Sequence, residues 1–216
     1  MANEIITYNG SKIINYMICF PISDFGYLVK TIEKVDILDY DGNPSILGMD
    51  KYNVLNNNKL LFNEWYDEIS FEIRNDYCIF EINKKYGVFD KEGNIIIKPI
   101  YDNLYYDSDD IFMARNNNKF GFVNSKYQMT PIIFSNASFF YDDYAAVRYN
   151  HKWGFINKYD YITNPNNDEE YSIAPEYEQV EDFEKGKCLV VKGEYEYIID
   201  KQNNIVNSKI KIKTKH

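Results

Sequence analysis

The chain has 216 residues, of which 45% are hydrophobic and 26% charged, and it carries a net charge of −9. That composition suits a soluble globular protein of one domain or two small ones, large enough to fold without disulfide or metal staples. The negative balance excludes a phosphate-backbone partner from the leading expectations, so no nucleic acid is expected, and no apolar run approaches the ~20 residues of a membrane span.

Tyrosine (21 residues) leads an aromatic share of 17%. Aromatics favour half-buried pleated surfaces, and the frequent asparagines favour turns, so strands joined by Asn turns are expected. Cys19, Cys78 and Cys188 are widely spaced and form no Cys-x-x-Cys pair. They read as buried free thiols in a reducing compartment. Met1 to Tyr8 has neither a basic n-region nor a signal-type apolar stretch, so the sequence reads as cytoplasmic.

In chain order, residues 1–33 read as an N-terminal cap and the second half of a repeat unit, ending in Tyr27-Leu28-Val29-Lys30. Residues 34–50 hold a degenerate half-unit with the weak copy Lys34-Val35-Asp36-Ile37-Leu38-Asp39. Four hexapeptides then follow: Lys51-Tyr52-Asn53-Val54-Leu55-Asn56, Lys85-Tyr86-Gly87-Val88-Phe89-Asp90, Lys119-Phe120-Gly121-Phe122-Val123-Asn124 and Lys152-Trp153-Gly154-Phe155-Ile156-Asn157. Their closing residues are 34, 34 and 33 positions apart, which defines repeats at 51–84, 85–118, 119–151 and 152–193. Residues 194–216 read as a C-terminal half-unit and a tail in which Lys alternates with Ile or Thr.

Within each unit an aliphatic run leads to an aromatic–acidic pair: Tyr66-Asp67, Tyr101-Asp102 and Tyr177-Glu178, with Phe134-Ser135 in the third. A further apolar strand closes the unit on a basic or amide residue, such as Arg115, Arg148 or Lys192. The pattern of basic, aromatic, Gly, aromatic, aliphatic and Asp/Asn residues, a Gly turn and a Pro-x-Tyr-Asp element resembles the WG (KWG) repeat over residues 34–206. Only Trp153-Gly154 gives the literal Trp-Gly pair. The resemblance implies a β-rich interaction module, mostly bacterial in distribution, without known catalytic residues.

The hexapeptides alternate in the manner of strands and are followed by turn residues, so each ~34-residue unit reads as three or four short antiparallel strands. One unit cannot bury its aromatic face alone, and neighbours must pack together. The fold expected is an all-β array of ~34-residue antiparallel repeats, arranged as a propeller-like ring or an open β-hairpin solenoid. The stretch 159–171 breaks the period by about ten residues and reads as a surface loop.

Tyr86, Phe120 and Trp153, with Gly87, Gly121 and Gly154, are expected to be structural repeat positions, the glycines allowing close approach of a neighbouring strand. With only His151 and His216, a histidine triad or multi-histidine metal site cannot be built. No phosphate-binding glycine motif, cofactor or metal site is expected. The residues offered as a partner-binding rim are Tyr105, Tyr106, Asp107, Asp109, Asp110, Tyr141, Asp142, Asp143, Asp168, Glu169 and Glu170. They combine tyrosines, which dominate protein recognition, with carboxylates at corresponding loops. The expectation is a protein-binding module, not an enzyme, with an immunity or antitoxin-like protein capping a basic toxin or nuclease as its sharper form. The alternatives are a carbohydrate- or cell-wall-binding protein and a carboxylate-dependent hydrolase.

Overall fold

A computed structural model describes residues 6–8, 11–13, 17–22, 26–38, 40–57, 59–62, 64–70, 76–126, 130–159, 171–207 and 210–211. The described residues are nearly all β, as an array of strand repeats requires. None of their helices is long and apolar enough to cross a membrane. The chain divides into two compact units, Met1–Tyr101 and Asp102–His216.

In the first unit, β1 (Ile6–Tyr8) and β2 (Ser11–Ile13) form a two-stranded ladder. The next sheet orders β3 (Met17–Ile22), β4 (Gly26–Leu38), β5 (Pro44–Asn56) and β6 (Lys59–Leu60). A second orders β7 (Glu68–Ile69), β8 (Tyr77–Ile82), β9 (Lys85–Asp90) and β10 (Ile95–Tyr101). All pairings are antiparallel. Leu28 and Val54 from one sheet and Cys78, Phe80 and Phe89 from the other share one core with Phe62 and Tyr66. The rings of Phe62 and Phe89 meet edge to face at 4.3 Å.

In the second unit, β11 (Asn103–Ser108), β12 (Ile111–Asn116) and β13 (Lys119–Asn124) form one sheet. The following sheet holds β14 (Asn136–Ala137), β15 (Tyr144–Tyr149), β16 (Lys152–Asn157) and β17 (Ile173–Tyr177). The last holds β18 (Gln179–Val180), β19 (Lys187–Lys192), β20 (Tyr195–Asp200) and β21 (Ile210–Lys211). Their apolar faces meet in two successive cores. Met113, Phe122 and Phe134 pack with Val147 and Ile156. Phe155, Ile173 and Tyr177 pack with Phe183, Cys188 and Val190. This is the neighbour-on-neighbour burial that a repeat too small for its own core needs.

The hexapeptides become β9, β13 and β16 and the second half of β5. Each full sheet therefore starts half a period before its hexapeptide, at the residue after the aromatic–acidic pair. Two-residue left-handed turns join the central hairpins at Asn83-Lys84, Asn117-Asn118 and Asn150-His151, where φ lies between 46° and 68°. Asparagine tolerates that region better than most residues, which accounts for its abundance. His151 is one of these exposed turn residues. The sixth hexapeptide residue also makes a turn. Asp90 Oδ1 accepts the amides of Glu92 (3.0 Å) and Asn94 (2.8 Å), and Asp200, which ends the corresponding strand β20 of the last sheet, accepts those of Gln202 and Asn204 in the same way.

The repeat glycines lie beneath the returning strand. Ile97 pairs with Val88 and Tyr101 with Tyr86, so residues 98–100 bulge over Gly87 alone. The same shift puts residues 174–176 over Gly154, between the Phe155–Ile173 and Trp153–Tyr177 pairs. A Cβ on Gly87 would sit 2.7 Å from the Ile97 carbonyl oxygen, and one on Gly154 would sit 2.4 Å from that of Ile173. Pro99 and Pro175 occupy the bulges, where a missing N–H costs no ladder bond. In the first sheet Asn53 holds the glycine's place, fully buried. Its Nδ2 donates to the carbonyls of Phe62 (3.1 Å) and Glu64 (2.9 Å), and its Oδ1 accepts from the amides of Val54 (2.7 Å) and Phe62 (3.3 Å). The polar group is thus satisfied by the strand that glycine elsewhere admits.

Candidate functional site

The acidic turns lie in the second unit. Asp109 and Asp142 occupy equivalent turns, leading into β12 and β15, with φ near 50°. Their left-handed backbone gives Asp a local reason to be there before any partner is considered.

Most of these carboxylates bind the neighbouring sheet. Asp109 forms an ion pair with Lys158, directly after β16, although its side chain remains 71% exposed. Asp142 accepts the Gly186 amide and, at 3.0 Å, the ammonium of Lys201, directly after β20. Asp143 lies 3.8 Å from the same lysine. Lys201 and Gly186 together hold the Asp142 carboxyl below the usual carboxylate range. Asp110 accepts the Ser125 hydroxyl at 2.8 Å within its own sheet.

Asp107 is turned inward. Its carboxylate accepts the Phe140 amide, with Oδ2 at 3.0 Å. Burial raises its pKa to about 6, opposed by the Phe140 amide, Ser108 and Lys158 and reinforced by Asp109. Tyr105 is half-buried against the Met113–Phe134 core. The Tyr106 hydroxyl donates to the Asp109 carbonyl at 3.0 Å while its ring meets Phe112 edge to face. Tyr141 is exposed and its backbone bridges to Tyr144. The structure thus brings Tyr106, Asp107 and Asp109 together around Lys158, and Asp142 and Asp143 around Lys201. Asp168, Glu169 and Glu170 lie outside the described residues.

A second set of carboxylates has the same role and was read from sequence only as part of the repeat pattern. Asp67 accepts the amide of Asn83 at 2.6 Å and pairs with Lys51, tying β5 to the turn between β8 and β9. Asp102 Oδ2 accepts the Asn117 amide at 2.7 Å. Glu178 accepts the Gly193 amide at 3.1 Å and pairs with Lys152. The acidic residue of the aromatic–acidic pair therefore caps the next hairpin turn, and Asp67 and Glu178 also hold the preceding sheet through lysine. The available sequence signal was the lysine opening each hexapeptide and the lysine following its closing Asp or Asn, at Lys91, Lys158 and Lys201.

The structural repeat positions are engaged within the fold. Tyr86 pairs with Tyr101, Phe120 with Phe134, and Trp153 with Tyr177. Trp153 is half-buried, with the Arg148 guanidinium 5.9 Å from its ring centre. Cys78 and Cys188 are buried free thiols whose pKa values desolvation pushes up to about 12. At neutral pH they stay protonated and weakly nucleophilic. Among the described residues no group of three or more His, Cys, Asp or Glu side chains could hold a metal ion.

The WG containing repeat matches residues 86–120, 128–153 and 166–195. No curated protein matches the chain. The segments matched contain Gly87 and the returning strands that cross Gly87, Gly121 and Gly154, and two of them end at Phe120 and Trp153, one residue before the glycine. Residues 86–120, 128–153 and 166–195 are three copies of the WG containing repeat.

Proposed function

We propose that this repeat protein is a non-catalytic protein-binding scaffold that presents an acidic, tyrosine-bearing rim to a basic partner. The observation that supports it most is the spacing of Asp109 and Asp142 on equivalent turns of adjacent sheets. Each is held by a lysine clamp, and Asp109 stays largely exposed. Such carboxylates are pre-organised, so a cationic surface gains attraction without the cost of ordering them. Tyr106 and Tyr141 flank them with aromatic surface. The immunity or antitoxin-like role, with a basic toxin or nuclease as partner, is the specific form of this reading, and the chain's charge of −9 favours it.

The test is affinity capture from a lysate of the source cells at low and at high salt, with the parent chain and with Asp109→Asn/Asp143→Asn. A basic protein held by the parent, released at high salt and lost by the variant is the expected result, because screening within ~10 Å at 0.1 M salt weakens exposed charge pairs. Capture of only neutral or acidic proteins, or equal capture by the variant, contradicts the reading.

A further inference from the structure

Beyond the repeat pattern, β4 and β5 run for 13 residues each and pair from Tyr27–Leu55 out to Leu38–Pro44. β3 covers β4 only as far as Lys30, and β6 covers β5 only at Leu55 and Asn56, followed by the Tyr52–Tyr66 bridge. From Ile32–Asp50 outward the described residues form a ribbon of two strands with no further strand paired at either edge.

The outer edge of β5 is ready for pairing. Tyr52 exchanges both backbone bonds with Tyr66, at 2.8 and 2.9 Å, and the Val54 carbonyl accepts the Leu61 amide. Outward-facing residues alternate, so the same edge continues with the N–H and C=O groups of Asp50, Gly48 and Ile46. The two faces of the ribbon differ. Met49, Leu47 and Ile37 share one face by register and are 41%, 46% and 37% exposed. Asp50, Ile46, Asp36 and Ile32 share the other, where Asp50 pairs with Lys30 at 2.8 Å. On the Met49 face, at the base of the open edge, a groove of about 440 Å3 is lined by Thr31, Lys51, Glu64, Trp65 and Ile82.

We infer that the outer edge of β5 accepts, antiparallel, an extended strand from a partner protein in which apolar and basic residues alternate. Main-chain bonds to Ile46, Gly48 and Asp50 supply the ladder. Apolar side chains on one face of the added strand lie beside Leu47 and Met49, and the first of them reaches the Trp65 groove. Lysine or arginine side chains on the opposite face lay their stems over Ile46 and bring their charge to Asp50. Residues 31–51 contain five carboxylates and two lysines, which favours a cationic strand and opposes the same ribbon from a second, equally acidic copy. The chain already makes a pairing of this chemistry elsewhere: β21, from the Lys–Ile tail, extends the last sheet by pairing with Tyr195 and Glu196.

The probe is a fluorescein-labelled Lys-Val-Lys-Val-Lys-Val-Lys peptide, titrated by anisotropy against the full chain. Controls are a block peptide of the same composition and an alternating Glu–Val peptide. Saturable binding of the alternating basic peptide is expected, with at least about tenfold weaker binding of both controls. Ile46→Pro removes an edge N–H without touching the β4–β5 ladder and weakens binding about tenfold. Leu47→Ser/Met49→Ser, at exposed positions, has a similar effect and decides the matter should Ile46→Pro disturb the ribbon. Asp109→Asn/Asp143→Asn binds as the parent does, which separates this site from the rim. Equal binding of alternating and block peptides reduces the effect to bulk charge and overturns the inference. So does unchanged binding by Leu47→Ser/Met49→Ser. A dimer in sedimentation that Ile46→Pro dissolves makes a second copy the occupant, and also overturns it.

Discussion

The third hexapeptide position decides how closely the returning strand can approach. Above Gly154 the Ile173 carbonyl occupies the space a methyl group would need, and neither atom belongs to a flexible side chain. Substitution must therefore move backbone, and bulk forced into such a site costs about 1–3 kcal/mol. Gly87→Ala and Gly154→Ala are expected to lose about that much stability each in urea unfolding, with the Gly154 variant the weaker. Variants as stable as the parent would show that the strand does not cross there. Asn53 solves the same problem in another way, by turning the close approach into four hydrogen bonds. The glycine role was legible in the sequence because the residue recurs in register with its strand. The Asn53 role was not, because a buried amide and a turn asparagine look alike until the returning strand is placed.

At the scale of strands and turns, carboxylates join one sheet to the next. Asp107 is the one whose own burial works against it. Its folded pKa of about 6 lies above the ordinary 3.8, so the folded chain holds that proton more tightly than the unfolded chain. Its contribution to stability is full below about pH 4, declines between pH 4 and 6 and is absent above. Asp107→Asn keeps an acceptor for the Phe140 amide and removes the titration. The variant is expected to match the parent near pH 4 and to be more stable at pH 7, measured by urea unfolding across that range. A variant less stable at pH 7 would mean that the charged carboxylate is favoured where it lies. Asp142, Glu176 and Glu178 have lowered pKa values and act oppositely, losing stability on acidification, but they are common to both proteins and cancel in the comparison.

Strand existence and turn chemistry followed from alternation and from Asn and Gly placement. The clamps did not, because Asp107, Asp109 and Asp142 read the same as solvated turn residues until the next sheet supplies Phe140, Lys158 and Lys201. The ribbon was also hidden. Its outer half contains Lys34 to Leu38, which imitates a hexapeptide, and nothing local tells a covered strand from an open one. What distinguishes it is that, among the described residues, no returning strand continues along β5 past the Tyr52–Tyr66 bridge.

Within each of the two units, short sheets bury aromatic faces against the next sheet and are tied by carboxylates across the joint. Among the described residues the β4–β5 ribbon extends beyond its neighbours' cover. Residue-resolved amide hydrogen exchange on the intact chain tests this most directly. The amides of Tyr52, Phe120 and Phe134, bonded to returning segments, and those of β8, β12, β15 and β19 are expected to be strongly protected. In the ribbon, Leu47 and Met49 should exchange slowly and the outward Ile46, Gly48 and Asp50 quickly. Protection that did not recur at equivalent positions in successive sheets, or slow exchange at Ile46, Gly48 and Asp50 in the free chain, would contradict the account.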